Sequence, residues 1–248
     1  MISISVVSHG QGTLVLQLLS DLTSVSHEAS FEVILTKNIP EQFPFAVDEY
    51  PFSISVIENS APKGFGANHN QAFMRALGTY FCVVNPDIRM AENPFPKLLS
   101  VLENKNVGIV APQVVDPGGS LEDSVRRFPT LLSLVAKLFR INDGRYSVPQ
   151  DGKPYSADWV GGMFMLFRSD NYRLLKGFDE SYFLYYEDVD ICTRMWKTGR
   201  RVVANPEVLV IHDARRTSRH SLRYIMWHIE SMLRYLIKHC WCLPRTSR

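Results

Sequence analysis

The sequence predicts an α/β protein built on a doubly wound, mostly parallel sheet, followed by a C-terminal helical extension. Short runs of β-branched and aromatic residues alternate with segments whose apolar residues recur at helical spacing, which is the βαβ order of such a sheet. One run, residues 81–84 (FCVV), is apolar throughout, as expected for a strand buried on both faces. With 248 residues, of which 46% are hydrophobic and 21% charged, the chain can form one large domain with a substantial core.

The first half of the chain supplies three strands and the helices between them. The predicted strands cover residues 2–8, 31–35 and 52–57. Between the first two, leucines recur at helical spacing, which predicts a helix there. These leucines are Leu14, Leu18, Leu19 and Leu22. A second helix is predicted at residues 67–77.

A loop rich in glycine and asparagine leads into the second helix. Gly64 and Gly66 permit a tight backbone. Asn68 and Asn70 place amides near the helix N-terminus, where a phosphate or sugar oxygen can bind. The segment GFGANH lacks the third glycine of a dinucleotide-binding loop, so a capped helix without a ligand stays an alternative.

The strand at residues 81–84 ends at Asn85-Pro86-Asp87. Pro86 cannot donate to a sheet ladder, so Asp87 follows the carboxyl end of the strand, where open α/β sheets bind ligands. A carboxylate at this place can hold a divalent cation, and the cation can hold a diphosphate. The alternative is an ordinary turn, since Asn, Pro and Asp are common turn residues.

The second half continues the α/β alternation. Strands are predicted at residues 107–115, 163–167, 202–204 and 208–211. Helices are predicted at residues 93–102, 131–139 and from Leu222 onward. Residues 120–128 form a predicted excursion, and residues 142–154 a predicted loop.

Three acids follow an aromatic run near residue 186. Glu187, Asp188 and Asp190 stand where a helical pattern begins. Such a cluster is costly unless it is solvated, bound to metal or shared with a ligand. The alternative is a helix N-terminus whose acids complement the helix dipole.

The C-terminal end is strongly basic. Residues 194–248 carry 12 Lys and Arg against 3 Asp and Glu, whereas residues 1–193 carry 15 against 22. The last helix shows an apolar face traced by Leu222, Ile225, Met226, Ile229, Leu233 and Leu236. That helix can pack on the domain, pair with a second subunit or lie on a membrane surface through nearby basic residues. Those basic residues are Arg215, Arg216, Arg219 and Arg223.

The composition favours a cytoplasmic protein. Four scattered cysteines do not suggest a disulfide framework. The N-terminus lacks the basic region of a signal peptide, and no run reaches the ~18–20 apolar residues of a transmembrane helix.

Several segments together resemble the inverting family 2 glycosyltransferases with the GT-A fold, and above all their rhamnosyltransferase-like branch. The matching segments are ISISVVSHG, GFGANHNQAF, Asn85-Pro86-Asp87, DWVGG from Asp158, GFDESYFLYYEDVDICTRMWKTG, and Pro206 through His212. The resemblance covers about residues 2–212. It implies a Rossmann-like GT-A domain at residues 1–214 and a basic helical tail at residues 215–248.

The resemblance also implies a metal and a base. The final acid of the family's DxD motif corresponds to Asp87, which would bind Mg²⁺ or Mn²⁺, with Asn85 at the first position. His212 matches a metal ligand of some GT-A enzymes. The family's ED motif corresponds to Asp188 as general base, with Glu187 as the second choice.

The remaining implied residues bind substrates. The donor would be a dTDP- or UDP-sugar, and the transferred sugar could be rhamnose. The acceptor would be a saccharide or a lipid-linked glycan in the synthesis of bacterial surface polysaccharide. The family's second strand usually ends in an Asp that contacts the base, and Thr36 or Asn38 would replace it here. Implied donor-side residues are Ser8, Gly66, Asn68, Asn70 and Asn85; implied acceptor-side residues are Trp159, Gly161 and Gly162.

The expected partners and location follow from this. We expect a protein in the cytoplasm or at the inner face of the membrane. It could form a homodimer, or contact the membrane through the basic helix, and we expect no nucleic acid partner.

Two other functions stay open at this point. A nucleotidyltransferase would need a basic Gly-rich loop after strand one, where this chain has His9-Gly10-Gln11-Gly12, and a carbohydrate-binding module would leave the acidic cluster unexplained.

Overall fold

The computed structural model describes residues 1–27, 29–131, 133, 144–146, 148–149, 151–213, 222–239 and 242–246. Most of the helix predicted at 131–139 lies outside these residues, as do residues 142, 143, 147 and 150 of the loop predicted at 142–154. The same holds for the predicted domain boundary after residue 214 and for Arg215, Arg216 and Arg219.

Within the described residues, nine strands form the central sheet and two more form a small ribbon. The central strands are β1 Ile2–Ser8, β2 Phe31–Lys37, β3 Ile54–Glu58, β4 Tyr80–Val84, β5 Ile88–Arg89, β6 Val107–Val115, β8 Tyr155–Ser156, β10 Phe164–Arg168 and β11 Arg201–His212; the ribbon is β7 Val125–Arg126 with β9 Trp159–Val160. The helices are α1 Gly12–Val25, α2 Phe65–Phe73, α3 Phe95–Glu103, α4 Ser169–Leu174, α5 Glu187–Lys197 and α6 Leu222–His239, with a 3₁₀ turn at Val47–Glu49.

The strand order is β3-β2-β1-β4-β10-β6-β11-β5, with β8 beside β11. The pairs among β3, β2, β1 and β4 are parallel, so their carboxyl ends share one edge of the sheet. Strand β10 runs antiparallel to both β4 and β6. The amino end of β10 therefore lies at the edge where β4 ends, and the N–H of Asn85 donates to the carbonyl of Met163 at 2.9 Å. The predicted doubly wound, mostly parallel sheet is confirmed.

Both faces of the sheet are buried, which explains why its strands are apolar in both alternations. Along β4, Cys82 and Val84 belong to the core shared with α1 and α3. Phe81 and Val83 belong to the core on the other face, shared with α5 and α6. The sheet is thus the middle layer between helices, and its carboxyl edge is left for loops.

Two predicted boundaries were wrong. The helix predicted at residues 67–77 is Phe65–Phe73, because the N–H of Leu77 turns away to the buried carboxylate of Glu32 at 2.7 Å. The strands predicted at 202–204 and 208–211 form one strand, β11. The register of β11 against β6 shifts between Asn205 and Leu209, around Pro206, which cannot donate to the ladder.

The C-terminal helix α6 turns its predicted apolar face outward. Of the predicted residues only Leu236 is buried, and the domain side is formed by Ser231, Tyr235, Leu236 and His239. The other face exposes six apolar side chains, which we call the α6 strip: Leu222, Ile225, Met226, Ile229, Leu233 and Ile237, each 47–80% exposed. Among the described residues, no helix is long and apolar enough to cross a membrane.

A buried carboxylate holds α6 on α5. Asp190 is fully buried, and it accepts hydrogen bonds from Arg194 at 2.6 Å, Lys238 at 2.7 Å and His239 at 2.8 Å. Burial acts to raise the pKa of Asp190, but these three partners lower it below its ordinary value. The carboxylate therefore contributes stability above about pH 4, and that contribution is lost as the pH falls through its lowered folded-state pKa.

We expect Asp190→Ala to lower the free energy of unfolding by about 3–5 kcal/mol, because it leaves buried cationic partners uncompensated. Urea denaturation at neutral pH measures this value. Asp170 pairs with Arg173 on the surface, where its side chain is 93% exposed, so Asp170→Ala is the matched control and should change stability by less than about 0.5 kcal/mol. Equal effects of the two substitutions would contradict the prediction.

Candidate active site

The turn after β4 brings Asp87 against the end of β11. Strand β5 follows the turn and pairs antiparallel with β11, with Ile88 opposite His212. Oδ2 of Asp87 lies 3.4 Å from Nε2 of His212, and the N–H of Asp213 donates to the carbonyl of Asp87 at 3.0 Å. Two residues 125 positions apart in the chain thus meet at one corner of the carboxyl edge.

Glu122 is a third member of this corner, and the sequence patterns did not single it out. Its Oε2 lies 2.8 Å from Nδ1 of His212, while its N–H donates to the carbonyl of Val114. Its position three residues after the Asp-Pro-Gly-Gly turn that ends β6 was the available signal. Burial acts to lower the pKa of His212, but Asp87 and Glu122 together raise it above its ordinary value.

The corner fits a divalent cation that is shared with a substrate. Oδ1 of Asp87 is buried and lacks a hydrogen-bond partner among the described residues. In the same residues, no group of three or more His, Cys, Asp or Glu side chains is arranged to hold a metal by itself. Mg²⁺ is typically held by one or two protein carboxylates together with substrate phosphates, so Asp87 and His212 suit that arrangement.

Two acids at the start of α5 differ sharply in their surroundings. The carboxylate of Asp188 accepts the N–H of Gly162 at 3.1 Å and the N–H of Val189 at 2.8 Å. Glu187 is 5% exposed, and its Oε2 has no partner among the described residues. The three acids that the sequence predicted as one cluster are therefore separated in space. Glu187 and Asp188 stay together, whereas Asp190 belongs to the hydrogen-bond network with α6.

The pKa values of this pair are raised and linked. Burial raises the pKa of Asp188, although the N–H groups of Gly162 and Val189 act against the rise. Burial, and then the negative charge of Asp188, raises the pKa of Glu187 well above its ordinary value. Both pKa values are thus raised, and the rise is the larger one for Glu187, so Asp188 is the acid of the pair that ionises at the lower pH.

A strained turn directly precedes these two acids in the chain. Tyr185 and Tyr186 have φ angles of 72° and 66°, a left-handed conformation that is rare for bulky residues. The ring of Tyr186 contacts Tyr235 and His228 of α6, with centroids 5.6 and 5.4 Å apart. Packing against α6 thus stabilises a backbone that is unfavourable in isolation, as is common at functional sites.

A cavity of about 550 Å³ opens onto Asp188. Its walls combine aromatic residues with cationic ones from the ribbon β7–β9. They include Arg126, Arg127, Trp159, Tyr186 and His228. The indole N–H of Trp159 donates to the carbonyl of Arg127 at 2.9 Å, which orients the ring. Of the predicted acceptor-side residues, Trp159 lines this cavity, and Gly162 contacts it through Asp188; the sequence patterns had not assigned the two arginines or His228 to it.

A short segment connects the corner with the cavity. Glu122 contacts His212, and two residues later the carbonyl of Ser124 accepts the N–H of Gly161 at 2.8 Å. The adjacent Gly162 donates to Asp188. A Cβ at Gly162 would lie 3.1 Å from the ring of Phe65 and 3.6 Å from Cβ of Asp188, so a side chain there would crowd the site.

Of the predicted donor-side residues, Ser8, Thr36 and Asn38 lie at the carboxyl ends of β1 and β2, whereas Gly66, Asn68 and Asn70 lie in α2. Asn38 and Asn68 are joined through Asn59, whose Nδ2 donates to their side-chain oxygens at 3.0 and 2.7 Å. Both also hydrogen-bond to Lys63, so their amides hold the loop before α2. Ser8 is buried, and its hydroxyl accepts the N–H of Gln11.

Unsatisfied polar atoms mark the same edge. Oγ1 of Thr36 and Oδ1 of Asn59 are buried without partners among the described residues. A cavity of about 510 Å³ lies next to them, lined by Lys37, Glu58 and Asn59 among others. Lys37, which follows Thr36, pairs with Glu58 at 2.9 Å.

Asn70 and Gly66 have structural roles that the sequence did not reveal. The amide of Asn70 donates to the carbonyl of Phe178 and accepts from Tyr172 at 2.8 Å. A Cβ at Gly66 would lie 2.6 Å from Cβ of Phe178. Both residues therefore hold α2 against the segment that leads to α5, and a direct contact with the donor stays a prediction.

Comparison with known proteins places this site in a family. Residues 3–175 match the family model "Glycosyl transferase family 2". Rhamnosyltransferase WbbL of Escherichia coli K12 is 29% identical over 251 residues, covering 96% of this chain and 93% of that protein. The N-acetylglucosaminyl-diphospho-decaprenol L-rhamnosyltransferase of Mycobacterium tuberculosis H37Rv is 26% identical over 212 residues, covering 77% of this chain and 69% of that protein.

A solved structure shows the same fold. The mannosyltransferase PcManGT of Pyrobaculum calidifontis, in complex with GDP-Man and Mn²⁺, superposes with a TM-score of 0.68 at 14% identity. The alignment covers 96% of this chain and 63% of the neighbour, so this chain spans less than two thirds of its length. The family match over most of the described domain, the rhamnosyltransferase relatives and the GT-A architecture agree: the chain belongs to glycosyl transferase family 2 and is a nucleotide-sugar-dependent glycosyltransferase of the rhamnosyltransferase-like branch.

Proposed function

We propose that this protein is an inverting transferase that moves a sugar, rhamnose being the first candidate, from a nucleoside diphosphate to a glycan acceptor of bacterial surface polysaccharide. The observation that carries the proposal is that the carboxyl group of Asp188, which accepts the N–H of Gly162, lines the cavity of about 550 Å³ together with Trp159. Family membership sets aside the nucleotidyltransferase and the binding module as alternatives.

Asp188 is the proposed general base. It takes the proton of the acceptor hydroxyl while that oxygen attacks the anomeric carbon on the face opposite the leaving diphosphate, so one displacement inverts the centre. The N–H groups of Gly162 and Val189 fix the carboxylate in one orientation. With Glu187 in its neutral form, no second negative charge is buried next to Asp188.

Asp87 and His212 would hold Mg²⁺ or Mn²⁺. The bound cation would neutralise charge that develops on the leaving diphosphate. The carboxyl ends of β1 to β3 would take the nucleoside, with the base in the cavity beside Thr36 and Asn59. We propose dTDP or UDP as the nucleotide; the rhamnosyltransferase relatives support the rhamnose donor.

The cavity beside Asp188 suits an acceptor that carries negative charge. Arg126 lies in β7, where it also pairs with Asp123, Arg127 follows it, and His228 lies on α6. Guanidinium groups recognise phosphate through paired hydrogen bonds. A lipid-linked diphosphate is therefore the proposed acceptor, and the Mycobacterium tuberculosis relative is named for a diphospho-decaprenol substrate.

The α6 strip is the proposed contact with the membrane that carries this acceptor. Its six apolar side chains are exposed on the helix that also supplies His228 to the cavity. Residues 194–248 carry a net charge of +9, which complements an anionic lipid surface. We place the enzyme at the inner face of the cytoplasmic membrane on this basis. A second copy of the chain on the strip is the competing occupant.

We expect Asp188→Asn to lower the transfer rate by ~10²–10⁴-fold, because the amide cannot accept the acceptor proton. Glu187→Gln should lose far less, since glutamine resembles the neutral acid. Release of nucleoside diphosphate from dTDP-rhamnose with an acceptor measures the rate, and calorimetry with dTDP checks that both variants bind nucleotide. Near-normal turnover by Asp188→Asn would contradict the base assignment.

The pH profile gives a second prediction. Transfer requires ionised Asp188, and burial raises its pKa, so kcat/KM should rise with pH through an apparent pKa above the ~3.9 of an ordinary Asp. The apparent value belongs to the pair with Glu187. A rate that is already maximal near pH 4 would show that Asp188 is not the titrating base.

The membrane contact is tested by changing the strip without touching the core. Met226 and Ile237 are 69% and 80% exposed, so the variant with both changed to Glu should fold and should lose co-sedimentation with phosphatidylglycerol vesicles. Met74, which follows the last residue of α2, is 84% exposed. Met74→Glu is therefore the matched control, and it should still bind the vesicles. Unchanged vesicle binding by the double variant would refute the membrane contact. If the wild-type protein is a dimer and the double variant is a monomer, the strip is instead the surface that binds a second copy of the chain.

A further inference from the structure

We propose that Glu122 is a positioning residue that selects the ring tautomer of His212 and so presents Nε2 to the metal. The inference rests on the proposed metal role of Asp87 and His212, and it adds a residue that no family motif in this sequence includes. Its basis is the arrangement of three side chains at one corner of the sheet.

The two ring nitrogens of His212 face different carboxylates. Nδ1 lies 2.8 Å from Oε2 of Glu122, whereas Nε2 lies 3.4 Å from Oδ2 of Asp87. The first distance is that of a good hydrogen bond, and the second is longer than one. When the ring is neutral and carries one proton, the shorter contact places that proton on Nδ1.

A proton on Nδ1 leaves the lone pair of Nε2 directed to the side of Asp87. Imidazole binds a metal only through such a lone pair, and metal-bound histidines usually donate their other N–H to a carboxylate or carbonyl. Glu122 supplies that carboxylate here. Because it contacts the nitrogen that faces away from Asp87, Glu122 acts through His212 and does not share the metal.

The backbone holds Glu122 in a fixed place. Its N–H donates to the carbonyl of Val114 at the end of β6, and its carbonyl accepts the N–H of Ser124, both at 2.9 Å. Glu122 and His212 are only 17% and 13% exposed at their side chains, so water competes weakly for the hydrogen bond. The acceptor is therefore preorganised before any metal arrives.

Mn²⁺ affinity in the presence of UDP tests the proposal without any measurement of activity. We expect Glu122→Ala to weaken Mn²⁺ binding by ~10–100-fold, as is typical when the partner of a metal-bound histidine is lost. Glu122→Gln keeps an acceptor oxygen and should recover part of the loss. Free Mn²⁺ is counted by electron paramagnetic resonance.

Two matched variants bracket the result. Asp87→Ala removes a proposed ligand and should lose the Mn²⁺ site; Glu103→Ala removes an exposed acid of α3 and should leave it unchanged. If Glu122→Ala binds Mn²⁺ as tightly as Glu103→Ala does, the inference about Glu122 is overturned, whereas the proposed metal site is not. A wild-type protein that binds no Mn²⁺ with UDP would instead refute the proposed metal site itself.

A second measurement needs no substitution and so does not depend on a variant that folds. ¹⁵N NMR of the metal-free protein, at a pH where the ring is neutral, reports which nitrogen of His212 is protonated. We expect the proton on Nδ1 in the wild-type protein, its transfer to Nε2 or a tautomer mixture in Glu122→Ala, and a partly retained Nδ1 form in Glu122→Gln. A proton on Nε2 in the wild-type protein would overturn the proposal.

Discussion

The antiparallel strand β10, inserted between β4 and β6, is the constraint on which the candidate site depends. In a wholly parallel sheet, the loop before this strand would lie at the opposite edge from Asp87. Reversal brings Gly161 and Gly162 to the carboxyl edge of β4, where Asn85 bonds to Met163 and Gly162 bonds to Asp188. One change of strand direction thus brings the proposed donor side, metal corner and base to one edge.

Electrostatics then separates acids that are neighbours in the chain. Asp190 faces α6 and is neutralised by three cationic or donor partners, which holds the helix that lines the cavity. The carboxyl group of Asp188 accepts the N–H of Gly162, while Oε2 of Glu187 is buried without a partner among the described residues. A helix start with three acids therefore provides a structural anchor in Asp190, the proposed base in Asp188 and, in Glu187, a neighbour whose pKa burial raises; these differences follow from direction along the helix.

Much of the fold was predictable from residue patterns. Apolar runs located strands β1, β2, β4 and β6 closely, because burial on both faces leaves an unambiguous signal. Boundaries failed where long-range contacts decided them, as at Leu77, whose N–H goes to Glu32. The outward direction of the α6 strip also escaped prediction, because helical periodicity identifies an apolar face but not what covers it.

The sequence by itself determined the sheet, the family resemblance and the candidates Asp87, Asp188 and His212, since each stands beside an apolar strand or at the start of a patterned helix. Only the tertiary structure decided what surrounds them. Glu122 beside His212, and Arg126 with His228 around the cavity, come from distant segments that carry no local pattern. The difference between Asp188 and Glu187 likewise depends on the N–H of Gly162, 26 residues away, and on burial, neither of which a sequence motif records.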